Sequence, residues 1–302
     1  MRVVVITTKE EIYHKYLCAE MAKRHNVVGV LHPLWPTLSR AERLALTRRR
    51  IERYGLGQYI LRKTMSAGLF PRGWDEGPDV ARAAEKLMPT AVADYAKLVG
   101  PSARDVGAIN SPEGIGLLSS YEPDVVVCSG GPIYRAPLIA AGKLMLNFHT
   151  GLSPVYNGSR TIYWTYANRQ PHLTAGTMMI MSPVVDGGAI LGHFLPAVEA
   201  GDTPGVQFVK TIIGGARMYS RFLAHLEAGR PFVSLPQGKS FRVYYEEEWT
   251  PFQPLAIQRY IDGDICAKFV RPERVYDYWS QADSGEAERL LKDVLLSAIY
   301  NP

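Results

Sequence analysis

Cysteine is scarce: Cys18, Cys128 and Cys266 are spread over 302 residues, form no CxxC pair and are odd in number. That usage excludes a disulfide framework and a cysteine zinc site, and it suits a reducing cytoplasm. Long hydrophobic runs are also missing, since none approaches the roughly 18 apolar residues of a membrane span. The amino terminus, MRVVVITTKEE, carries an apolar run too short for the core of a signal peptide. A cytoplasmic protein with no membrane partner is expected. Internal repeats are absent, and neither sign of charge dominates: 34 Lys and Arg against 29 Asp and Glu leave a net charge of +5. Such a balance tolerates nucleic acid, phosphate or carboxylate partners and selects none of them. What is plentiful is apolar side chain, at 47% of residues, enough to fill the core of one large domain or two ordinary ones.

The chain opens as strand, helix, strand. Residues 2–7 read as a buried strand, residues 10–24 as a helix with Tyr13, Tyr16, Leu17 and Met21 at helical spacing, and residues 27–31 as a second strand. A crossover of this kind joins parallel strands. The turn between them, TTKEE, lacks glycine, so a dinucleotide fingerprint is missing where it would have to stand. A helical, arginine-rich stretch follows over residues 38–69, with Arg40, Arg43, Arg48, Arg49, Arg50 and Arg53; it reads as a solvated face or as a patch for an anionic substrate. Residues 70–77 break that helix. Helices are expected over 80–98 and 113–120, a strand over 125–128, a short helix over 137–142 and a strand over 143–148. Further on come a helix over 161–168, strands over 175–181 and 189–195, and a helix that starts at Gly201-Asp202-Thr203-Pro204 and runs to about residue 226. Residues 231–281 have no clear period, and a last amphipathic helix covers about 285–299. The pattern predicts an α/β fold, a Rossmann-like mostly parallel sheet with helices on both faces. A catalytic domain over 1–200 and a smaller helical or irregular region over 201–302 are the expected division.

Chemistry concentrates in three places. Asn147 and His149 stand two apart at the end of a strand, so they share one face while Phe148 takes the other. Buried polar groups without partners are costly, so the pair must meet internal partners or face a cleft. Asp186, after two valines and before two glycines, suits a carboxylate lifted out of a loop. Together they offer a proton-transfer group, a neutral donor to a developing oxyanion and a carboxylate to orient the imidazole, which suits attack of an amine on a carbonyl. Gly130 and Gly131, at the carboxyl end of a central strand, would let backbone approach a ligand.

These motifs resemble the folate-dependent formyltransferase family. The resemblance rests on Pro123-Asp124-Val125-Val126-Val127, Gly130-Gly131, Asn147-x-His149, Pro154 with Gly158, Trp164-x-x-Ala167-Asn168, Gly176-Thr177 and Asp186-x-Gly188-x-Ile190. It covers residues 120–195 well and the first 120 loosely. It implies N10-formyltetrahydrofolate as co-substrate, in a cleft at the carboxyl edge of the sheet, and no metal. Asn147 and His149 would hold the formyl oxygen, and Asp186 would keep the imidazole charged or take the amine's proton. Gly130, Gly131, Pro132 and Ile133, with Val184, Val185 and Gly187, would line the folate pocket.

The chain departs from the family pattern in the loop after His149. Thr150-Gly151-Leu152-Ser153-Pro154 stands for Ser-Leu-Leu-Pro, Tyr156-Asn157-Gly158 stands for the usual Arg-Gly, and Ala189 replaces a second acidic residue. That loop points to Gly151, Ser153, Tyr156 and Asn157 as substrate contacts, and the aromatic rings of Tyr156, Tyr163 and Trp164 would suit a sugar ring or nucleotide. The first reading is an N-formyltransferase acting on a small amine such as an amino sugar. A formyltetrahydrofolate hydrolase, a methionyl-tRNA formyltransferase-like enzyme and a non-enzymatic folate-fold binding protein are the alternatives. Nucleic acid is disfavoured, because residues 231–302 supply no evident basic surface and carry Glu246, Glu247 and Glu248 in their midst. A homodimer is compatible with the sequence.

Overall fold

A computed structural model describes residues 1–35, 38–66 and 73–300. The elements in order are β1 (Val3–Thr7), α1 (Ile12–Arg24), β2 (Val27–Pro33), α2 (Arg40–Tyr54), α3 (Leu56–Ser66), α4 (Glu76–Leu87), α5 (Ala91–Leu98), β3 (Ala103–Val106), α6 (Pro112–Ser120), β4 (Val125–Ser129), α7 (Ala136–Ala141) and β5 (Met145–His149). The second half adds β6 (Asn157–Gly158), α8 (Thr161–Ala167), β7 (Gly176–Ile180), β8 (Ile190–Leu195), α9 (Pro204–Glu227), β9 (Val243–Tyr244), α10 (Phe252–Asp262), β10 (Arg274–Asp277) and α11 (Ser284–Tyr300).

Eight strands form one sheet in the order β10-β8-β7-β5-β4-β1-β2-β3, while β6 and β9 pair apart from it. The run β3-β2-β1-β4-β5 is parallel throughout, and β7, β8 and β10 are added antiparallel. The expected α/β architecture is present. β1 and β4 are wholly buried runs of mostly β-branched residues, as strands covered by helices on both faces must be. Alternate residues divide the core. Val3, Val5 and Val127 pack with Leu17, Met21, Tyr219 and Phe222 on the side of α1 and α9, whereas Val4, Ile6, Val126 and Cys128 pack with Leu118 and Leu138 on the side of α6 and α7.

From β1 the chain steps through β2 to β3 on one side, then returns to place β4 on the other side of β1. That reversal opens a crevice beyond the carboxyl ends of β1 and β4, where α/β sheets take ligands. Helix α9 starts as its sequence predicts: Thr203 Oγ1 accepts from Val206 N, and Pro204 stands in the first turn.

Several elements differ from the sequence expectation. The stretch 80–98 is two helices, because Pro89 lies between α4 and α5 and cannot donate a helical bond. The arginine-rich stretch is split at Gly55, whose φ of 85° leaves helical geometry; its expected end at 67–69 and residues 70–72 of the breaker lie outside the described residues. The stretch 231–281, aperiodic in sequence, supplies α10 and the edge strand β10. Residues beyond 200 therefore share the main sheet, through β10 on β8, and its core, through α9. Among the described residues, no helix is long and apolar enough to cross a membrane.

Candidate active site

A cleft of about 460 Å³ occupies the crevice. Its walls come from the start of α1 (Tyr13, His14), the turn after β4 (Ser129 to Tyr134), the end of β5 (Asn147 to Thr150), Gly158 and Ser159, and the loop before β8 (Ser182 to Asp186, with Gly188). The turn after β4 is tied down by hydroxyls. Tyr219, Thr7 and Tyr134 donate in succession to the carbonyls of Cys128 (2.6 Å), Ser129 (2.6 Å) and Gly130 (2.9 Å). Gly130 and Gly131 have φ of 68° and 97°, a conformation that favours glycine. A Cβ on Gly130 would stand 2.9 Å from His14 Nε2, and one on Gly131 would stand 2.5 Å from the Tyr134 hydroxyl.

Asn147, His149 and Asp186 all line this cleft. Phe148 turns to the opposite face and packs with Tyr219 at 6.2 Å between ring centroids, so strand alternation places the polar pair as read from the sequence. The Asn147 side chain has no hydrogen-bond partner among the described residues and remains available to a ligand. His149 is different. Its Nδ1 lies 3.3 Å from Asp186 Oδ1 and its Nε2 lies 2.9 Å from the carbonyl oxygen of Tyr156. The carbonyl contact is a hydrogen bond that the ring nitrogen donates, since a carbonyl only accepts, and the carboxylate stands at ion-pair distance from Nδ1. Asp186 is fixed in turn, with Oδ2 accepting from Gly158 N at 2.9 Å.

The remaining sequence-selected residues fall into two groups. Pro132, Ile133, Val184 and Val185 line the cleft with Gly130 and Gly131, and Ile133 and Val184 are 69% and 68% exposed. Gly187 is not among the lining residues, where Gly188 stands instead. Gly151, Ser153, Tyr156, Asn157, Tyr163 and Trp164 are all buried, behind the cleft and outside its lining. Gly151 abuts the Tyr156 carbonyl and His149 Nε2 and leaves no room for a Cβ. Tyr156 and Trp164 stack on Tyr244 at 5.2 and 4.9 Å, and Tyr163 packs on Trp74 at 4.9 Å. The described residues of the arginine-rich stretch do not line the cleft.

Two residues escape a reading of local pattern. His14 is 8% exposed, shares a hydrogen bond at Nδ1 with the Thr8 hydroxyl (2.6 Å) and turns Nε2 toward the glycine turn. Burial, with His32 nearby, pulls its pKa down to about 3, so the ring is neutral at physiological pH. Its place at the start of the helix after β1, next to the switch point, was the available signal. Gln237 reaches the site from beyond residue 200 and donates to the carbonyls of Asp186 (2.8 Å) and Gly188 (3.1 Å). No sequence signal marks it.

A protein from Mycobacterium tuberculosis, provisionally described as a sugar N-formyltransferase, has a similar structure, with a TM-score of 0.51 at 11% identity over 82% of this chain and 76% of that one. The fold is that of the formyltransferases. In sequence, a methionyl-tRNA formyltransferase from Arthrobacter sp. (strain FB24) is 26% identical over 153 residues, 50% of this chain and 49% of that one. The match spans about half the length of that relative. An N-formyltransferase from Helicobacter canadensis, solved with folinic acid and dTDP-3-aminofucose, has a TM-score of 0.49 at 12% identity over 85% of this chain and 79% of that one. No family model matches the chain. Within the formyltransferase fold, the cleft sits where its sheet reverses direction, and the three polar residues meet at that point.

Proposed function

We propose that this chain is an N-formyltransferase that moves a formyl group from N10-formyltetrahydrofolate to the amine of a small biosynthetic substrate. The observation that carries the reading is the free Asn147 amide beside an imidazole held between Asp186 and a backbone carbonyl, all at the floor of one cleft. Its walls suit the co-substrate. A left-handed glycine turn exposes backbone polar groups between the apolar side chains of Ile133, Val184 and Val185, a lining that fits a flat ring with polar edges.

When bound, N10-formyltetrahydrofolate would supply an acyl carbon attached to a nitrogen leaving group. Asn147 would donate to the acyl oxygen as it gains negative charge, with the His149 ring beside it. Asp186 stands at ion-pair distance from that ring. Its remaining lone pairs would take up the proton that the attacking amine must lose, through a water in the cleft, and the same relay would return it to N10 as the C–N bond breaks and tetrahydrofolate leaves. Thr150 and Ser159 at the rim border the approach of the amine. Glu246 accepts from Ser159 Oγ at 2.6 Å and pairs with Arg160 at 2.8 Å, so the rim is acidic as well as basic, which suits a small amine better than an RNA backbone.

The deciding experiment is incubation of the purified chain with N10-formyltetrahydrofolate and a panel of amines, with tetrahydrofolate release followed by absorbance. Release that requires one amine is the expected result. Release without any amine would replace the transferase by a hydrolase, and no release together with no folate binding would sink both.

A further inference from the structure

Asp186 carries a backbone φ of 49°, a left-handed conformation uncommon outside glycine, in which surrounding contacts hold it. Its own turn does little to enforce it: the local backbone bond is Gly187 N to the Val184 carbonyl at 3.1 Å, between exposed valines and two glycines. The constraint comes from two side-chain amides that are distant in sequence. Gln237 Nε2 donates to the carbonyls of Asp186 (2.8 Å) and Gly188 (3.1 Å), which uses both of its protons. Asn157 Nδ2 lies 3.1 Å from the same Asp186 carbonyl, 2.7 Å from Gln237 Oε1 and 2.8 Å from Ser240 Oγ. The next residue, Gly158, donates its N–H to the Asp186 carboxylate. One loop thus grips Asp186 at both its backbone and its side chain.

Gln237 is itself anchored. Two residues earlier, Leu235 exchanges backbone bonds with Ile190 at 2.7 and 2.8 Å, at the first position of β8. The amide orientation follows from the network, because a flipped Gln237 would aim its oxygen at two carbonyls. We infer that Gln237, together with Asn157, is a positioning residue that holds the Asp186 carboxylate against His149. The segment after α9 thereby supports a site whose three polar residues, Asn147, His149 and Asp186, all precede residue 200. This rests on Asp186 acting in formyl transfer, as proposed above.

The test uses the full chain carrying Gln237→Ala and, with the same side-chain length but no donors, Gln237→Glu. Four quantities are read: kcat and KM for N10-formyltetrahydrofolate with the amine that supports turnover, binding of 5-formyltetrahydrofolate, and the 15N chemical shift of His149 Nδ1. A misplacement of about 1 Å at a reacting group costs about 100-fold, so kcat is expected to fall about 10- to 100-fold with KM and binding changed less than about 3-fold. The Nδ1 shift should move in the same direction as in Asp186→Asn. Unchanged kcat in both Gln237 variants, beside an impaired Asp186→Asn, overturns this inference and leaves the formyltransferase reading standing. Full activity in Asp186→Asn overturns the reading instead, and the Nδ1 shift still decides the clamp: an unmoved resonance in Gln237→Ala, or in Gln237→Glu where the alanine variant does not fold, removes it.

Discussion

The two loops that the sequence marks as ligand contacts have opposite physical characters. The wall proposed to face folate, built from residues 130–133 and 182–186, leaves Ile133 and Val184 more than half exposed. Gly151, Ser153, Tyr156, Asn157, Tyr163 and Trp164 of the other stretch are buried, with Ser153 and Asn157 at 0% exposure and Tyr156 at 3%. Its polar groups are largely committed: Ser153 N and the Gly151 carbonyl to Thr177 Oγ1, the Tyr156 hydroxyl to Gln170 and Asn168, and Asn157 to the clamp on Asp186. A wall that still has surface to bury can bind. The buried wall, although Ser153 Oγ, Asn157 Oδ1 and Trp164 Nε1 have no partner among the described residues, sets the position of what lies in front of it, here His149, through the Tyr156 carbonyl.

The largest effect that would sharpen this contrast is kinetic. His149→Ala or Asp186→Asn should lower turnover by about two to four orders of magnitude, while folate affinity, supplied by the other wall, changes little. Steady-state rates with direct binding of 5-formyltetrahydrofolate check it, and unchanged turnover would remove that residue from the chemistry. Next comes Gly151→Ala on the buried wall. The new methyl must displace either the Tyr156 carbonyl or the His149 ring, neither of which can swing away. A loss of about 2 to 3 kcal/mol in urea denaturation is expected, with kcat lowered because the ring moves. A stable, fully active Gly151→Ala would show that this wall yields and would dissolve the distinction.

What could be read in the sequence follows the same division. β1 and β4 announce themselves because strands covered on both faces are continuous apolar runs, and Asn147 and His149 follow from a period of two that no packing detail can alter. Asp186 is legible because glycines frame it. The division between walls is not legible, since Tyr156, Tyr163 and Trp164 are aromatic whether they face a ligand or, as here, Tyr244 and Trp74. Gln237 has no local mark at all: its importance is a set of contacts across 49 and 51 positions of chain. Strand β10 is four residues with charged ends, and α10 carries Pro254 in its first turn, so neither shows the periodicity that identifies longer elements.

The smallest expected effect asks whether burial or location governs the groups on the two sides. His14 sits in the open cleft wall and His193 lies fully buried behind His149, bonded at Nδ1 to the Tyr278 hydroxyl at 2.8 Å. Burial pulls both rings down to about 3, from an ordinary value of 6.5. Between those values the unfolded chain binds a proton that the native chain does not, so stability should fall as pH drops from about 6.5 toward 3. Each ring contributes up to about 1.4 kcal/mol per pH unit within that window. Urea denaturation at pH 7 and at pH 5 measures the slope, and His14→Gln or His193→Gln should each flatten it by one ring's share. Equal flattening would mean that exclusion from water sets the charge of both imidazoles, irrespective of the wall they occupy. Flattening by His193→Gln alone would mean that the cleft admits enough water for His14 to titrate in the native chain.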